Sequence, residues 1–246
     1  DCVNHDILLR RLHSSYGVCG SALNLFKSYL DKRTQQVFYA DILSDVVDVL
    51  SGVPQGSVLG PLLFTLYTAD ILCVINEYSF KGFAYADDVQ LIASTSPGEF
   101  DVLIGRLLKC LDALDEWMSL NGIKMNQDKT QLVPIGTWQQ TVKIGPSFAN
   151  INDKVVEFKN NAKVLGFTID KNLYMNDHIK GLVKSCSFQL RQLSRLKKCL
   201  NKSTMITMIQ SFVHSRLDYC NSLFHGVLKN EIAALQSVQN RATRIV

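Results

Sequence analysis

The chain has 246 residues, 47% of them hydrophobic and 20% charged, with a formal net charge of +4. That length suits one large domain or two small ones, and the composition is ordinary for a soluble globular protein. The longest apolar stretch, Val58 to Ile75, is broken by Gly60, Pro61 and Asp70, so it makes a poor membrane span. No signal-peptide pattern stands at the start. Seven cysteines lie singly with no Cys-x-x-Cys pair, which argues against zinc and for reduced thiols.

His5 to Leu12 reads as a helix start and Ser21 to Leu30 as a second helix. Gln35 to Ala40 and Val46 to Leu50 look like strands enclosing a turn. The loop from Gly52 to Gly60 leads to Pro61, a good first helical residue because its missing N–H costs nothing there. From Pro61 to about Ile75 the pattern is apolar nearly all round, the signature of a core helix. Phe83, Ala84 and Tyr85 before Asp87-Asp88, and Val89, Leu91 and Ile92 after it, predict two short strands meeting at an acidic turn. Ser96-Pro97-Gly98 is a turn signal. Leu103, Leu107, Leu111, Leu114 and Trp117 or Met118 mark an amphipathic helix from Phe100 to Asn121, which Gly122 is placed to end.

Short strands are expected near Lys124 to Met125, Thr130 to Ile135, Val155 to Phe158 and Val164 to Asp170. Beyond Lys171 the pattern is helical, with Ser203 and Asn230 as candidate caps and Cys186 and Cys199 at packing positions. The boundary drawn here divides the chain into residues 1–170 and 171–246.

Asp87 and Asp88 are the sharpest chemical signal. Adjacent side chains in a regular strand point to opposite faces, so the two carboxylates serve one site only if the backbone turns between them. In a mostly buried sheet they would repel each other and cost desolvation, and a divalent cation with hard oxygen ligands, Mg²⁺, would resolve both. The plain alternative is a surface hairpin with an acidic tip. A second signal is charge: from His178 to Leu217 there is no Asp or Glu, while eight Lys and Arg residues give that window +8 and leave −4 for the rest. Such a segment suits a polyanion, or is simply a solvated helix face.

Ser51-Gly-Val-Pro-Gln-Gly-Ser-Val-Leu-Gly-Pro-Leu-Leu-Phe64, followed by Ala84-Tyr-Ala-Asp-Asp-Val-Gln-Leu91, closely resembles reverse transcriptases of non-LTR retrotransposons. Ser57-Val-Leu-Gly-Pro61 is the non-LTR form of the run after Pro-Gln-Gly. The later runs Val164-Leu-Gly-Phe-Thr-Ile-Asp170 and Leu217-Asp-Tyr-Cys-Asn-Ser222 resemble the family's primer-gripping hairpin and C-terminal helices. The resemblance implies an α+β right-hand polymerase: a palm of antiparallel sheet with packed helices, partial fingers over 1–170, and a helical thumb over 171–246. It implies RNA-directed DNA synthesis by two-metal nucleotidyl transfer, with Mg²⁺ held by Asp87 and Asp88. The partners would be an RNA template, a DNA primer and deoxynucleoside triphosphates, in the nucleus and cytoplasm, with no membrane.

By the same resemblance Gln55 and Gly56 face the incoming nucleotide and templating base. Tyr85 packs on the primer terminus or is an aromatic core residue. Lys129 approaches the nucleotide phosphates or is a solvated strand-edge lysine. Lys184, Arg191 and Arg195 lie along nucleic-acid phosphates.

The family's site holds three carboxylates, and the third belongs a few residues before an aromatic gate in the first motif. Asp1 matches the residue just after that gate, so the third ligand is expected upstream. Neither end of the chain resembles a natural terminus, and the expectation is a truncated piece of a longer protein. With two ligands of three, the 246 residues alone are expected not to extend a primer. Asp6 and Asp70 fall in predicted helices and are not substitutes. The alternative reading is a non-catalytic nucleic-acid-binding relic of a decayed element.

Overall fold

The computed structural model describes residues 2–144, 148–151 and 154–246. They form two compact units, Asp1–Thr130 with Asn150–Val155, and Gln131–Ala149 with Val156–Val246. The expected division after residue 170 falls inside the second unit, because the strands around Phe167 pack with the helices that follow them.

In the first unit, α1 (His5–Ser14) is capped by Asn4, whose side chain accepts from the Ile7 N–H at 3.1 Å. Helix α2 (Gly20–Leu30) follows. The next residues form nested two-residue pairings, β1 (Thr34–Gln35) with β4 (Val47–Asp48) and β2 (Phe38–Tyr39) with β3 (Ile42–Leu43). Ala40 and Asp41 turn at positive φ, +46° and +64°. The expected single core helix is broken: α3 (Gly60–Thr68) stops, and α4 (Ile71–Glu77) starts after Ala69 and Asp70. The physical reason is Asp70, whose carboxylate pairs with Arg11 at 3.2 Å. Nor is the segment buried on every side, since apolar Leu62 is exposed while Leu63 and Tyr67 are buried.

Strands β5 (Lys81–Tyr85) and β6 (Asp88–Ile92) pair antiparallel, and α5 (Phe100–Leu120) follows a 3₁₀ turn at Pro97–Glu99. Gly122 ends α5 as expected: at φ +66° its N–H bonds Ser119 O and the Ile123 N–H bonds Met118 O. The core here gathers Val3, Leu8, Leu12, Leu30, Leu63 and Tyr67.

In the second unit, α6 (Trp138–Thr141) carries a capping box between Thr137 and Gln140. The strands expected at 124–125 and 130–135 are absent apart from one bridge, Leu132 to Phe158, and residues 127–129 between them take a 3₁₀ turn. Strands β7 (Phe148–Ile151) and β8 (Lys154–Glu157), whose residues divide between the two units at 150 and 155, precede the hairpin of β9 (Asn161–Val164) and β10 (Phe167–Asp170), which reverses at Leu165 and Gly166. Helix α7 (Asn176–Leu196) is amphipathic, with Ile179, Leu182, Cys186, Leu190 and Leu193 buried.

Helix α8 (Lys202–Ile209) is capped by Asn201, not Ser203: the extended backbone at Asn201 brings its side chain to the Thr204 N–H at 2.8 Å. A π-turn at Gln210–His214 leads to α9 (Ser215–Asp218), and α10 (Lys229–Ile245) begins one residue before Asn230, which therefore does not cap it. Cys186 is buried, whereas Cys199 lies beyond α7 and is exposed; the described cysteines are all free thiols. Every sheet among the described residues has two strands. The observed class is helices with small antiparallel sheets. No described helix is long and apolar enough to cross a membrane.

Candidate active-site hairpin and basic helix face

Tyr85 faces Asp88 across the β5–β6 ladder, leaving Ala86 and Asp87 as the two-residue turn. Ala86 sits at φ +52°, where a side chain costs roughly 1 kcal/mol and glycine would cost none. The turn does what the adjacent carboxylates need: Asp87 occupies its second position and Asp88 opens β6. Strand alternation places Lys81, Phe83 and Tyr85 with Asp88, Gln90 and Ile92 on one face. The opposite face packs on α4, where a Cβ at Gly82 would come within 2.9 Å of Leu72 Cδ2 and 3.1 Å of Ile75. Glycine at 82 therefore lets the hairpin lie against α4 and leaves the acidic face open.

The expected buried sheet is corrected here. Both aspartates are exposed and Tyr85 retains 67% of its accessibility, because the hairpin has no third described strand beside it. Desolvation therefore does not force a metal on the pair. Their case as ligands rests on donor chemistry, two hard oxygen donors on one tight turn. Among the described residues no group of three or more His, Cys, Asp or Glu side chains could hold a metal ion. Asp70 is engaged by Arg11, Asp6 lies in the first turn of α1, and Asp1 falls outside the described residues.

Gln55 and Gly56 form the centre of a turn closed by the Ser57 N–H donating to Pro54 O at 3.2 Å, with Gly56 at φ +80°. Ser57 Oγ donates to Pro54 O at 2.7 Å and accepts from the Gly60 N–H at 3.0 Å, so the same residue closes the turn and starts α3. Gly52 anchors the loop: its N–H donates to Val3 O at 2.7 Å, and His5 Nε2 lies 2.8 Å from its carbonyl. Gln55 and Gly56 are left exposed at the tip.

Lys129 closes the 3₁₀ turn that Asn126 caps, and it too is exposed. The structure thus brings Tyr85, Asp87 and Asp88 together. No hydrogen bond or ion pair among the described residues joins Asp87 or Asp88 to Gln55, Gly56 or Lys129.

In the second unit Lys184, Arg191 and Arg195 are exposed on α7, opposite its buried side. Two arginines not singled out as site residues join them. Arg216 donates to Ser185 Oγ, and Arg241 Nη1 donates to Ser187 Oγ at 3.0 Å. No local signal announces these contacts, since Arg241 and Ser187 are 54 residues apart.

The family model for reverse transcriptase (RNA-dependent DNA polymerase) matches residues 1–169, and the chain belongs to that family. The "Probable RNA-directed DNA polymerase from transposon BS" of Drosophila melanogaster is 28% identical over 255 residues, covering 100% of this chain and 27% of the relative. The "RNA-directed DNA polymerase from mobile element jockey" of the same species is 27% identical over 213 residues, covering 85% of this chain and 22% of the relative. The "Probable RNA-directed DNA polymerase from transposon X-element", also from that species, is 27% identical over 227 residues, covering 90% and 24%. These matches bear out the resemblance to non-LTR retrotransposon polymerases. The chain spans about a quarter of the length of these curated relatives.

Proposed function

We propose that the protein carrying this chain is an RNA-directed DNA polymerase of a non-LTR retrotransposon, using an RNA template, a DNA primer and deoxynucleoside triphosphates. The observation that carries the reading is the Tyr85–Asp88 hairpin: two adjacent carboxylates exposed on one tight turn, within the family match. Asp87 and Asp88 would hold Mg²⁺, which when bound supplies charge stabilisation at the attacking and leaving oxygens. The primer 3′-oxygen attacks the α-phosphorus of the nucleotide and pyrophosphate leaves.

Tyr85 shares the open face with Asp88 and would pack on the primer end. The exposed Gln55–Gly56 tip allows close backbone approach to the nucleotide and templating base. Lys129 would offset charge on the leaving phosphates. The exposed cations of α7 would follow the template–primer backbone without reading sequence. Residues up to 170 act as palm with partial fingers and those beyond as thumb, in the nucleus and cytoplasm.

Two carboxylates are fewer than this chemistry uses, and among the described residues no third joins them. The 246-residue chain alone is therefore expected to bind a primed template but not to extend it. The test is RNA-templated primer extension with Mg²⁺, by this chain and by the same chain carrying its upstream coding sequence. Incorporation by the longer protein that vanishes with Asp87→Asn supports the proposal. Incorporation that survives Asp87→Asn and Asp88→Asn refutes it, and binding without incorporation in both proteins favours a non-catalytic relic.

A further inference from the structure

The exposed side of α7 is not uniformly charged. Lys180, Lys184, Arg191 and Arg195 are all exposed, and Phe188 lies among them with 49% of its surface open to solvent. At about 100° per residue, the five positions fall within an arc of about 80°. Ile179, Leu182, Cys186, Leu190 and Leu193 occupy the opposite side, in the core. The arginines held by Ser185 and Ser187 widen the cationic surface on both flanks of this stripe. Among the described residues no ring or cation–π contact of Phe188 is seen, and half of its surface is open to solvent.

Charge names the partner class: four cations on one stripe, with no acidic residue from His178 to Leu217, attract a polyanion. Geometry narrows it. Lys184 stands about 6 Å along the helix before Phe188, and Arg191 about 4.5 Å after it. An aromatic ring at the edge of the stripe, with a cation before it and another after it along the helix, matches a surface with phosphates at its edges and an apolar strip between them. The wide, shallow groove of an A-like duplex, lined by sugars, has that layout.

We propose that Phe188 is the apolar contact of this face, its ring lying against the sugars of an RNA–DNA hybrid duplex while Lys184 and Arg191 reach phosphates on either side. The inference rests on the reading of α7 as a nucleic-acid face.

The experiment measures binding of the 246-residue chain to a blunt RNA–DNA hybrid and to single-stranded DNA of equal length, by fluorescence anisotropy over a range of salt. Phe188→Ala is expected to weaken hybrid binding about five-fold or more with an unchanged salt slope, because the ring displaces no counterions. Phe188→Leu should recover most of the affinity. The triple change Lys184→Ala, Arg191→Ala, Arg195→Ala should instead flatten the slope, by up to about three.

If the triple change alters neither affinity nor slope, the nucleic-acid reading of α7 falls. If the triple change acts and Phe188→Ala does not, only the present inference falls. Loss of single-strand binding alone on Phe188→Ala would also overturn it, in favour of base stacking. Phe188→Gln, which keeps a long side chain, decides the matter if the alanine variant melts early.

Discussion

Arg11 Nη2 donates to Asn121 Oδ1 at 2.8 Å across 110 residues of sequence. The same guanidinium donates to Tyr67 O and pairs with Asp70 at 3.2 Å, and its central carbon lies over the rings of Tyr67 and Trp117, 5.0 and 5.2 Å from their centroids. Asn121, only 6% exposed, also donates to Trp117 O at 2.6 Å, and its carbonyl accepts from Tyr67 Oη at 2.6 Å. One side chain thereby fastens α1, the α3–α4 break and the end of α5, the frame on which the acidic hairpin rests.

Arg11→Lys is expected to destabilise the protein by about 2 kcal/mol, since an ammonium cannot match the planar fork or its stacking. The half-exposed Asp70 contributes the smaller part, so Asp70→Asn should cost well under half as much. Urea midpoints of the two variants check the order. Equal losses would show that the ion pair, not the buried amide network, holds the junction.

Ala86→Gly is expected to stabilise the hairpin slightly, by about 0.5 kcal/mol. Relief of the positive φ of +52° outweighs the added freedom of the unfolded chain. Gly82→Val should act the opposite way, costing about 1–3 kcal/mol, because its Cβ would meet Leu72 and Ile75 at 2.9 and 3.1 Å. Thermal midpoints of both variants measure this. A stabilised Gly82→Val would mean that the hairpin does not seat on α4.

The acidic turn, the Gln55–Gly56 tip and the helices α5, α7, α8 and α10 were legible in the sequence because each is set by local periods and turn residues. What escaped was set at long range. Arg11 lies among Ile7, Leu8 and Leu12, a cation within an apolar stripe, and that was the available hint; its partners at 67, 70 and 121 were not readable locally. The α3–α4 break follows from the same arginine through Asp70. Ser203 lost its capping role to Asn201 because two polar residues competed for one helix start, and only the backbone direction at Asn201 decides between them. The buried setting expected for Asp87 and Asp88 failed because a strand pattern of five residues does not say how many neighbours the strand will have.

His178 makes the second unit sensitive to acid. Its Nδ1 accepts from the Thr168 N–H at 3.1 Å, its ring stacks on Phe167 at 3.9 Å between centroids, and burial holds its pKa below the usual 6.5. A depressed histidine pKa means that the unfolded chain binds the proton more readily. The stabilisation is complete above 6.5 and is lost as pH falls through the lower folded value. Thermal midpoints recorded from about pH 8 down to about pH 5 should therefore fall for the native chain and flatten with His178→Gln. An unchanged pH profile in that variant would assign the sensitivity elsewhere.

Asp170 sets the direction in which α7 leaves the β9–β10 hairpin. Its carboxylate accepts three backbone N–H groups, from Asn172 at 3.1 Å, Tyr174 at 3.0 Å and Met175 at 2.6 Å. Met175 stands at φ +59°, a conformation a methionine holds only against a local cost of roughly 1 kcal/mol. The three bonds outweigh that cost, so Asp170→Ala is expected to lose about 2–3 kcal/mol and Met175→Gly to gain a few tenths. Because Asp170 bonds the Met175 N–H directly, the two changes should couple: Met175→Gly recovers part of the loss when Asp170 is alanine. A double-mutant cycle on denaturant midpoints, with amide exchange at residues 176–180, measures both. Strict additivity, with the first turn of α7 still protected in Asp170→Ala, would show that the helix start is held by its packing against Phe167 instead.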